Sequence, residues 1–215
     1  MQYLTNLWRA LDFGSLRDML LRLAAVLVCL TVHEMSHSLA AYALGDSTAK
    51  RQHRLSLNPL RHIDWFGLAM LVVAGFGWAR PVPVNASYFK RPKLGMALTA
   101  LAGPVSNLVL ALLLLLLTRI LWTAGALGDT LLQFLLRTTL MSIGLGIFNL
   151  LPIPPLDGSK VVAALLPDKE YGMLMRYERV GMLLLLALVL MGAGGSFLSK
   201  ANYWVFNLFC NIVGL

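Results

Sequence analysis

Long stretches without charged residues constrain this chain more than any other feature of its sequence. Residues 94–118, 138–156 and 181–199 contain no Asp, Glu, Lys or Arg, and residues 23–45 contain only one, Glu34. Each stretch is close to the roughly 20 residues that a helix needs to cross the hydrocarbon core of a bilayer. The sequence therefore predicts an all-α polytopic membrane protein.

The composition supports this class and excludes others. Apolar residues make up 58% of the 215 residues, and charged residues only 13%. Soluble domains contain roughly 45–50% apolar and about 25% charged residues. The chain is therefore not disordered, and it does not have the composition of an ordinary soluble enzyme. Cys29 and Cys210 lie far apart and form neither a disulfide framework nor a CxxC zinc site.

Two shorter apolar stretches and the N-terminus complete the predicted topology. Residues 65–79 and 201–215 are 15 residues each, and we interpret the first as a re-entrant loop or hairpin and the second as a short last span. The total is about five to six transmembrane helices. Residues 1–17 are charged and lack an apolar h-region, which predicts an interfacial segment. No repeat or linker marks a second domain, so residues 1–215 are expected to form a single domain.

The basic residues predict the orientation of the chain. The net charge is +8 and falls between the apolar stretches, which indicates membrane topology rather than binding to nucleic acid. If residues 65–79 dip in and return, one side of the membrane holds residues 46–64, 78–93 and 157–179, with 12 of the 18 Lys and Arg residues. By the positive-inside rule, this side is the cytoplasm. We therefore expect a multi-pass protein of the inner (plasma) membrane with its site open toward the cytoplasm.

The first apolar stretch contains the HExxH motif His33-Glu34-Met35-Ser36-His37. Residues i and i+4 share one helix face, so the two imidazoles can hold one zinc ion while Glu34 acts as general base toward a water. Ionisable residues inside a span are expensive and mark function by default. A divalent cation is the simplest common partner for these three. The alternative is a polar cluster satisfied by hydrogen bonds between helices.

A catalytic zinc site needs a third protein ligand from elsewhere in the chain. Asp157 is best placed, because it follows the stretch 138–156 and the prolines before it break the helix at membrane depth. A cap or turn residue before Gly158 explains the same pattern equally well. The remaining candidates are Cys29, Asp46, His53, His62, Asp64 and Asp129. We interpret the cysteine as core packing and the two histidines as loop residues.

Two motifs together resemble the site-2 protease family of intramembrane zinc metalloproteases. The first is HEMSHSLAAYALGD at residues 33–46, and the second is FNLLPIPPLDG at residues 148–158, which is similar to the family pattern NxxPxxxxDG. The segments NPLRHID (58–64), FGWARPVPVN (76–85) and AGPVSN (102–107) resemble the short bacterial branch. The resemblance covers most of the chain.

The resemblance implies a site and an activity. It implies one Zn²⁺ per chain, held by His33, His37 and Asp157. It further implies that Glu34 is the catalytic base and that Asn149 holds the substrate or the developing oxyanion. The implied reaction is hydrolysis of peptide bonds in or near the transmembrane helices of single-span membrane proteins. A β-like hairpin near residues 65–93 would pair with an extended substrate.

The AGPVSN segment lies inside the apolar stretch 94–118. Gly103-Pro104 predicts a kink there, because proline removes a helix hydrogen bond. Asn107 either faces the cavity or packs between helices.

Two other functions remain open from the residues alone. Intramembrane His and Glu also mark ion pathways, so a metal-ion or proton transporter is the alternative. Such transporters more often have paired repeats with matching broken helices, which the sequence does not show. The third hypothesis is an inert scaffold that binds client helices, although binding alone needs no HExxH-plus-Asp set.

Overall fold

The computed structural model describes residues 16–74, 79–176, 178–192 and 195–215. The regular secondary structure of these residues is helical, as predicted. The α-helices are α1 (Leu16–Ala43), α2 (Thr48–Arg51), α3 (Trp65–Ala74), α4 (Pro92–Thr123), α5 (Asp129–Asn149), α6 (Asp157–Ala164), α7 (Asp168–Arg176), α8 (Glu178–Leu190) and α9 (Gly195–Val213). Single 3₁₀ turns lie at Pro59–Arg61 and Ala86–Tyr88. Most of the predicted interfacial segment, residues 1–15, lies outside the described residues.

Three of these helices are long and apolar enough to cross a membrane. They are α1, α4 and α5, with 28, 32 and 21 residues. On α4, large apolar side chains such as Leu113, Leu117 and Ile120 are exposed on the protein surface. In a bilayer such side chains face lipid at no cost, so the chain is a membrane protein.

Helix α4 is the centre of the bundle and packs against α1, α5 and α6. Its buried side is made of small residues, including Ala97, Ala100 and Ala111. On the facing side of α5, a Cβ added to Gly146 would lie 3.1 Å from the Pro104 carbonyl oxygen. Small residues let membrane helices approach closely where no hydrophobic effect drives them together.

Polar side chains also join the helices. Ser142 of α5 donates to the Asn107 carbonyl oxygen at 2.7 Å, and the Cys29 thiol lies 3.5 Å from the Thr138 carbonyl oxygen. Asn107 itself is fully buried. It is not among the residues that line the cavity described below, so of its two predicted roles the structure has packing between helices.

The predicted apolar stretch 138–156 differs from the helix that contains it. Helix α5 begins nine residues earlier, at Asp129, and includes the charged Arg137. The Arg137 guanidinium lies 2.6 Å from the Asp18 carboxylate of α1, so an interhelical ion pair compensates its charge. The helix ends at Asn149, three residues before Pro152, because proline cannot continue the hydrogen-bond pattern.

The span predicted over residues 181–199 is interrupted in the structure, and as a continuous helix that prediction is wrong. Helix α8 ends at Leu190 and α9 begins at Gly195. Gly192 lies in the turn between them with φ of +70°, a conformation that glycine adopts without a steric penalty. Neither α8 nor α9 is among the three helices that meet the length and hydropathy of a span.

The hairpin predicted near residues 65–93 is not confirmed. Residues 65–74 form α3, and residues 75–78 lie outside the described part of the chain. One isolated antiparallel bridge joins Ile63 to Ala79. Residues 80–85 then run without helix to the 3₁₀ turn at Ala86–Tyr88.

Candidate active site

Helix α1 presents the HExxH motif to the inside of the bundle. His33, Glu34 and His37 are all buried. The two imidazole rings lie with their centroids 4.6 Å apart and their planes at 88°. The i, i+4 spacing therefore places two ring nitrogens beside each other, as the sequence predicts.

Asp157 comes from a distant part of the sequence, and its side chain faces both histidines. Its Oδ2 atom lies 3.2 Å from Nε2 of His33 and 3.2 Å from Nε2 of His37. Asp157 is the first residue of α6, and the N-cap position belongs to Leu156. Of the two readings that the sequence leaves open, the structure has the carboxylate directed at the histidines rather than capping the helix.

The chain before Asp157 folds tightly against the start of α6. A Cβ added to Gly158 would lie 2.2 Å from the Leu150 carbonyl oxygen. The Ser159 hydroxyl donates to the Leu156 carbonyl oxygen at 2.6 Å. The glycine after the aspartate therefore allows the close backbone approach that turns Asp157 inward.

Gly103 of α4 forms the wall beside the two imidazoles. A Cβ at this position would lie 2.4 Å from His37 Nε2 and 2.7 Å from His33 Cε1. The sequence predicts a kink at Gly103-Pro104 but gives no sign of this contact with the histidines. The absence of a side chain is what leaves room for both rings.

The hydrogen bond of His37 determines what its other nitrogen can do. His37 Nδ1 lies 2.7 Å from the Thr99 carbonyl oxygen. A carbonyl only accepts, so Nδ1 carries the hydrogen and Nε2 of the neutral ring is an acceptor. That acceptor faces the Asp157 carboxylate, which is also an acceptor. A proton or a metal ion must lie between them, and a metal ion satisfies both imidazoles and the carboxylate at once.

The spacing of the three groups also fits a zinc ion. Two ligand atoms about 2.0–2.2 Å from one zinc ion at the tetrahedral angle lie about 3.3–3.6 Å apart. The observed separations of 3.2 Å are close to this range. Among the described residues, His33, His37 and Asp157 are the one group of three or more such side chains arranged to hold a metal ion.

The other candidates from the sequence lie elsewhere. His62 Nε2 bonds the Ser56 carbonyl oxygen at 2.7 Å, and Asp64 accepts from the backbone amides of residues 66 and 67 at the start of α3. Cys29 is buried between helices, and His53 and Asp129 are exposed. None of them belongs to the group formed by His33, His37 and Asp157.

The three groups open into a cavity of about 340 Å³. Glu34, Asn149 and Lys160 line it together with apolar side chains, among them Val82, Val84, Met96, Phe148 and Leu185. The Asn149 side-chain amide donates to the Leu145 carbonyl oxygen of its own helix at 2.9 Å. The Glu34 carboxylate, the Asn149 amide and the group formed by His33, His37 and Asp157 therefore share one mainly apolar cavity.

Asp46 holds the segment that closes one side of this cavity. The carboxylate accepts from the Thr48 amide at 2.8 Å and from the Asn85 amide at 2.7 Å. Burial alone would raise the pKa of Asp46, but these hydrogen bonds hold that pKa below its ordinary value. Asp46 is thus a structural anchor of the segment that carries Val82 and Val84.

The chain is similar to known proteins over most of its length. The profile described as Peptidase family M50 matches residues 123–192. The Bacillus subtilis protein named zinc metalloprotease YwhC is 42% identical over 168 residues, which cover 76% of this chain and 77% of that protein. The chain belongs to peptidase family M50, the site-2 protease family.

Two further M50-type relatives extend the similarity. Proteins named zinc metalloprotease Rip2 from Mycolicibacterium smegmatis and Mycobacterium tuberculosis are 33% and 32% identical over 200 residues. The aligned residues cover 87% and 86% of this chain and 73% of each relative. No solved structure matches the chain. The protein is therefore a membrane-embedded, zinc-dependent metalloendopeptidase of the site-2 type.

Proposed function

We propose that this M50 enzyme hydrolyses peptide bonds in or near the transmembrane helices of single-span membrane proteins. The observation that carries the proposal is the pair of facing acceptors, His37 Nε2 and Asp157 Oδ2, at 3.2 Å inside a membrane helix bundle. Such a pair needs a proton or a metal ion between its two atoms, and a metal ion also serves His33, whose Nε2 lies 3.2 Å from the same Oδ2 atom. The adjoining cavity is lined mainly by apolar side chains, which suits a segment drawn from a transmembrane helix.

In this proposal His33, His37 and Asp157 hold one zinc ion per chain. When bound, zinc supplies Lewis acidity that makes water more acidic and polarises a peptide carbonyl. The Thr99 carbonyl fixes the ring of His37 through its Nδ1 hydrogen, an outer contact typical of metal-binding histidines. Gly103 leaves the two rings the space that they need.

Glu34 is the proposed general base. It follows His33 directly, is buried, and lines the same cavity. Its carboxylate takes a proton from the attacking water and passes that proton to the nitrogen of the leaving amine. The reaction then ends with a new carboxyl terminus and a new amino terminus on the substrate.

Asn149 is the proposed substrate-binding residue. Its side-chain nitrogen has two hydrogens, and the Leu145 carbonyl uses one of them. The second can donate to a substrate carbonyl in the cavity that Asn149 lines. This interaction would orient the scissile peptide and stabilise negative charge on its oxygen.

The depth of the motif supports cleavage within the membrane. His37 and His33 lie six and ten residues before the end of α1 at Ala43. At 1.5 Å per residue, these positions are about 9 and 15 Å below the end of the helix. A substrate helix hides its carbonyls in hydrogen bonds, so it must unwind locally before Glu34 can assist the attack on it.

We also propose how the chain is arranged in the membrane. It has residues 1–215 as a single domain with about five to six transmembrane helices and an interfacial N-terminus. The segment near residues 65–93 forms a re-entrant or β-like hairpin beside the cavity. The site opens to the cytoplasmic side of the inner membrane, which the 12 basic residues of the loops support. Membership of a protease family argues against the transporter hypothesis.

Substitution of Glu34 tests the proposed reaction. We expect Glu34→Gln to keep one zinc per chain and to lower cleavage of a single-span peptide in vesicles by about 10²–10⁴-fold, because the base is lost. Glu170→Gln, on the exposed start of α7, is the matched control and should cleave normally.

Two results would contradict the proposal. Full activity of Glu34→Gln would remove Glu34 from the reaction. Cleavage of a soluble peptide but never of the same sequence within a transmembrane helix would refute the intramembrane substrate.

A further inference from the structure

Lys160 lies one helical turn after Asp157. Its ammonium group is near the carboxylate oxygen of Asp157 that does not face the histidines. Its Nζ atom is 3.9 Å from Asp157 Oδ1, whereas Oδ2 is the atom 3.2 Å from both imidazole nitrogens. The two oxygens of one carboxylate thus have different partners.

The ion pair between Lys160 and Asp157 is partly buried. The Asp157 side chain is 12% exposed and the Lys160 side chain 27%, so water screens their attraction less than that of an exposed pair. Lys160 also lines the cavity with Glu34. Lys93, which also lies near α6, forms an ion pair with Asp168 instead, with Nζ 2.5 Å from Oδ1.

The choice between one and two carboxylate oxygens matters for a metal centre. A carboxylate binds a cation through either one oxygen or both. A catalytic zinc site needs three protein ligand atoms and a fourth position left open. A second oxygen from Asp157 would add a fifth ligand beside a water in that fourth position and would occupy the position into which the site expands in the transition state.

We propose that Lys160 is a positioning residue that holds Oδ1 of Asp157 away from the metal, so that the carboxylate binds through Oδ2 alone. This inference rests on the proposed function, since it takes Asp157 as a zinc ligand. Lys160 acts through Asp157 and is distinct from the base, Glu34, and from the substrate-binding residue, Asn149.

The experiment replaces zinc by saturating Co²⁺ in the full chain, purified in detergent. The variants are Lys160→Met, which removes the charge but keeps the length, and Lys160→Arg, which keeps the charge. Lys169→Met, on the exposed part of α7, is the control for loss of one positive charge. The readouts are visible absorption per bound cobalt, kcat and KM, with gel-filtration elution to verify folding.

We expect Lys160→Met to lower the visible absorption, because cobalt with an added ligand absorbs less than four-coordinate cobalt. Its kcat should fall about 10–100-fold, as for other residues that orient metal ligands. Its KM should stay within about twofold of the wild-type value, since substrate binding is not affected. Lys160→Arg and Lys169→Met should keep the wild-type absorption and kcat.

Three results would overturn the inference. The first is Lys160→Met with unchanged absorption and kcat. The second is a rise of KM alone with unchanged absorption, which would make Lys160 a substrate contact. The third is a folded variant that binds no cobalt. Failure of the proposed function is distinguishable, because the wild-type protein itself would then bind no metal or Glu34→Gln would be fully active.

Discussion

At the residue scale, Gly103 determines how closely α4 approaches the two imidazoles. The position has no room for a methyl group beside His37 and His33. Interiors are close-packed, so an added methyl must push a ring or the helix away. Since both rings face Asp157, either movement would change the spacing of the three groups.

Gly103→Ala therefore tests whether this contact shapes the site. We expect the variant to bind zinc at least about tenfold more weakly than wild type, because the ligand set is displaced. Gly172→Ala is the control, since a Cβ there has no neighbour within 4 Å. Competition with a chromogenic chelator measures the affinity. Equal zinc affinity in Gly103→Ala and wild type would show that the added methyl group does not displace the two imidazole rings from their zinc-binding positions.

The sequence predicted these residues unequally. The relation between His33 and His37 follows from helix periodicity, so it could be predicted locally. Asp157 is 120 residues from His37, and its pattern fits a cap equally well, so only the fold decides where it points. The role of Gly103 depends on the distance between α1 and α4, for which a single sequence carries no signal.

At the element scale, Asp46 connects the end of α1 to the segment beside the cavity. It bonds the Thr48 amide within its own turn and the Asn85 amide across the fold. Because Val82 and Val84 line the cavity, the position of this segment affects the shape of the site. Loss of a buried hydrogen bond typically costs about 1–3 kcal/mol.

The lowered pKa of Asp46 gives this anchor a defined pH dependence. The folded state favours the ionised carboxylate, so its contribution is full above the unfolded pKa of about 3.9 and declines as the pH falls through the lower folded pKa. We expect Asp46→Asn to unfold at a lower temperature than wild type at pH 7. The difference should shrink below about pH 4.

Thermal unfolding in detergent at several pH values measures this effect. Asp129→Asn, which alters an exposed carboxylate, is the control. A difference in melting temperature that persists unchanged to pH 2 would mean that the charge of Asp46 does not stabilise the fold.

At the scale of the whole molecule, packing of α1, α4, α5 and α6 brings distant residues into one site. Helix α4 separates the sequence positions of α1 and α6 but packs against both. The apolar stretches predicted α1, α4 and α5 because hydropathy over about 20 residues reflects the bilayer itself. The break between α8 and α9 does not follow from the apolar pattern, because Gly192 turns the chain there without adding charge.

The central claim is that His33, His37 and Asp157 bind one zinc ion inside this bundle. X-ray absorption at the zinc edge of the purified Glu34→Gln protein, together with its zinc content, tests it most directly. We predict one zinc per chain with two imidazole ligands and otherwise oxygen, and loss of the metal in Asp157→Ala. A sulfur ligand, or full zinc content in Asp157→Ala, would contradict the account.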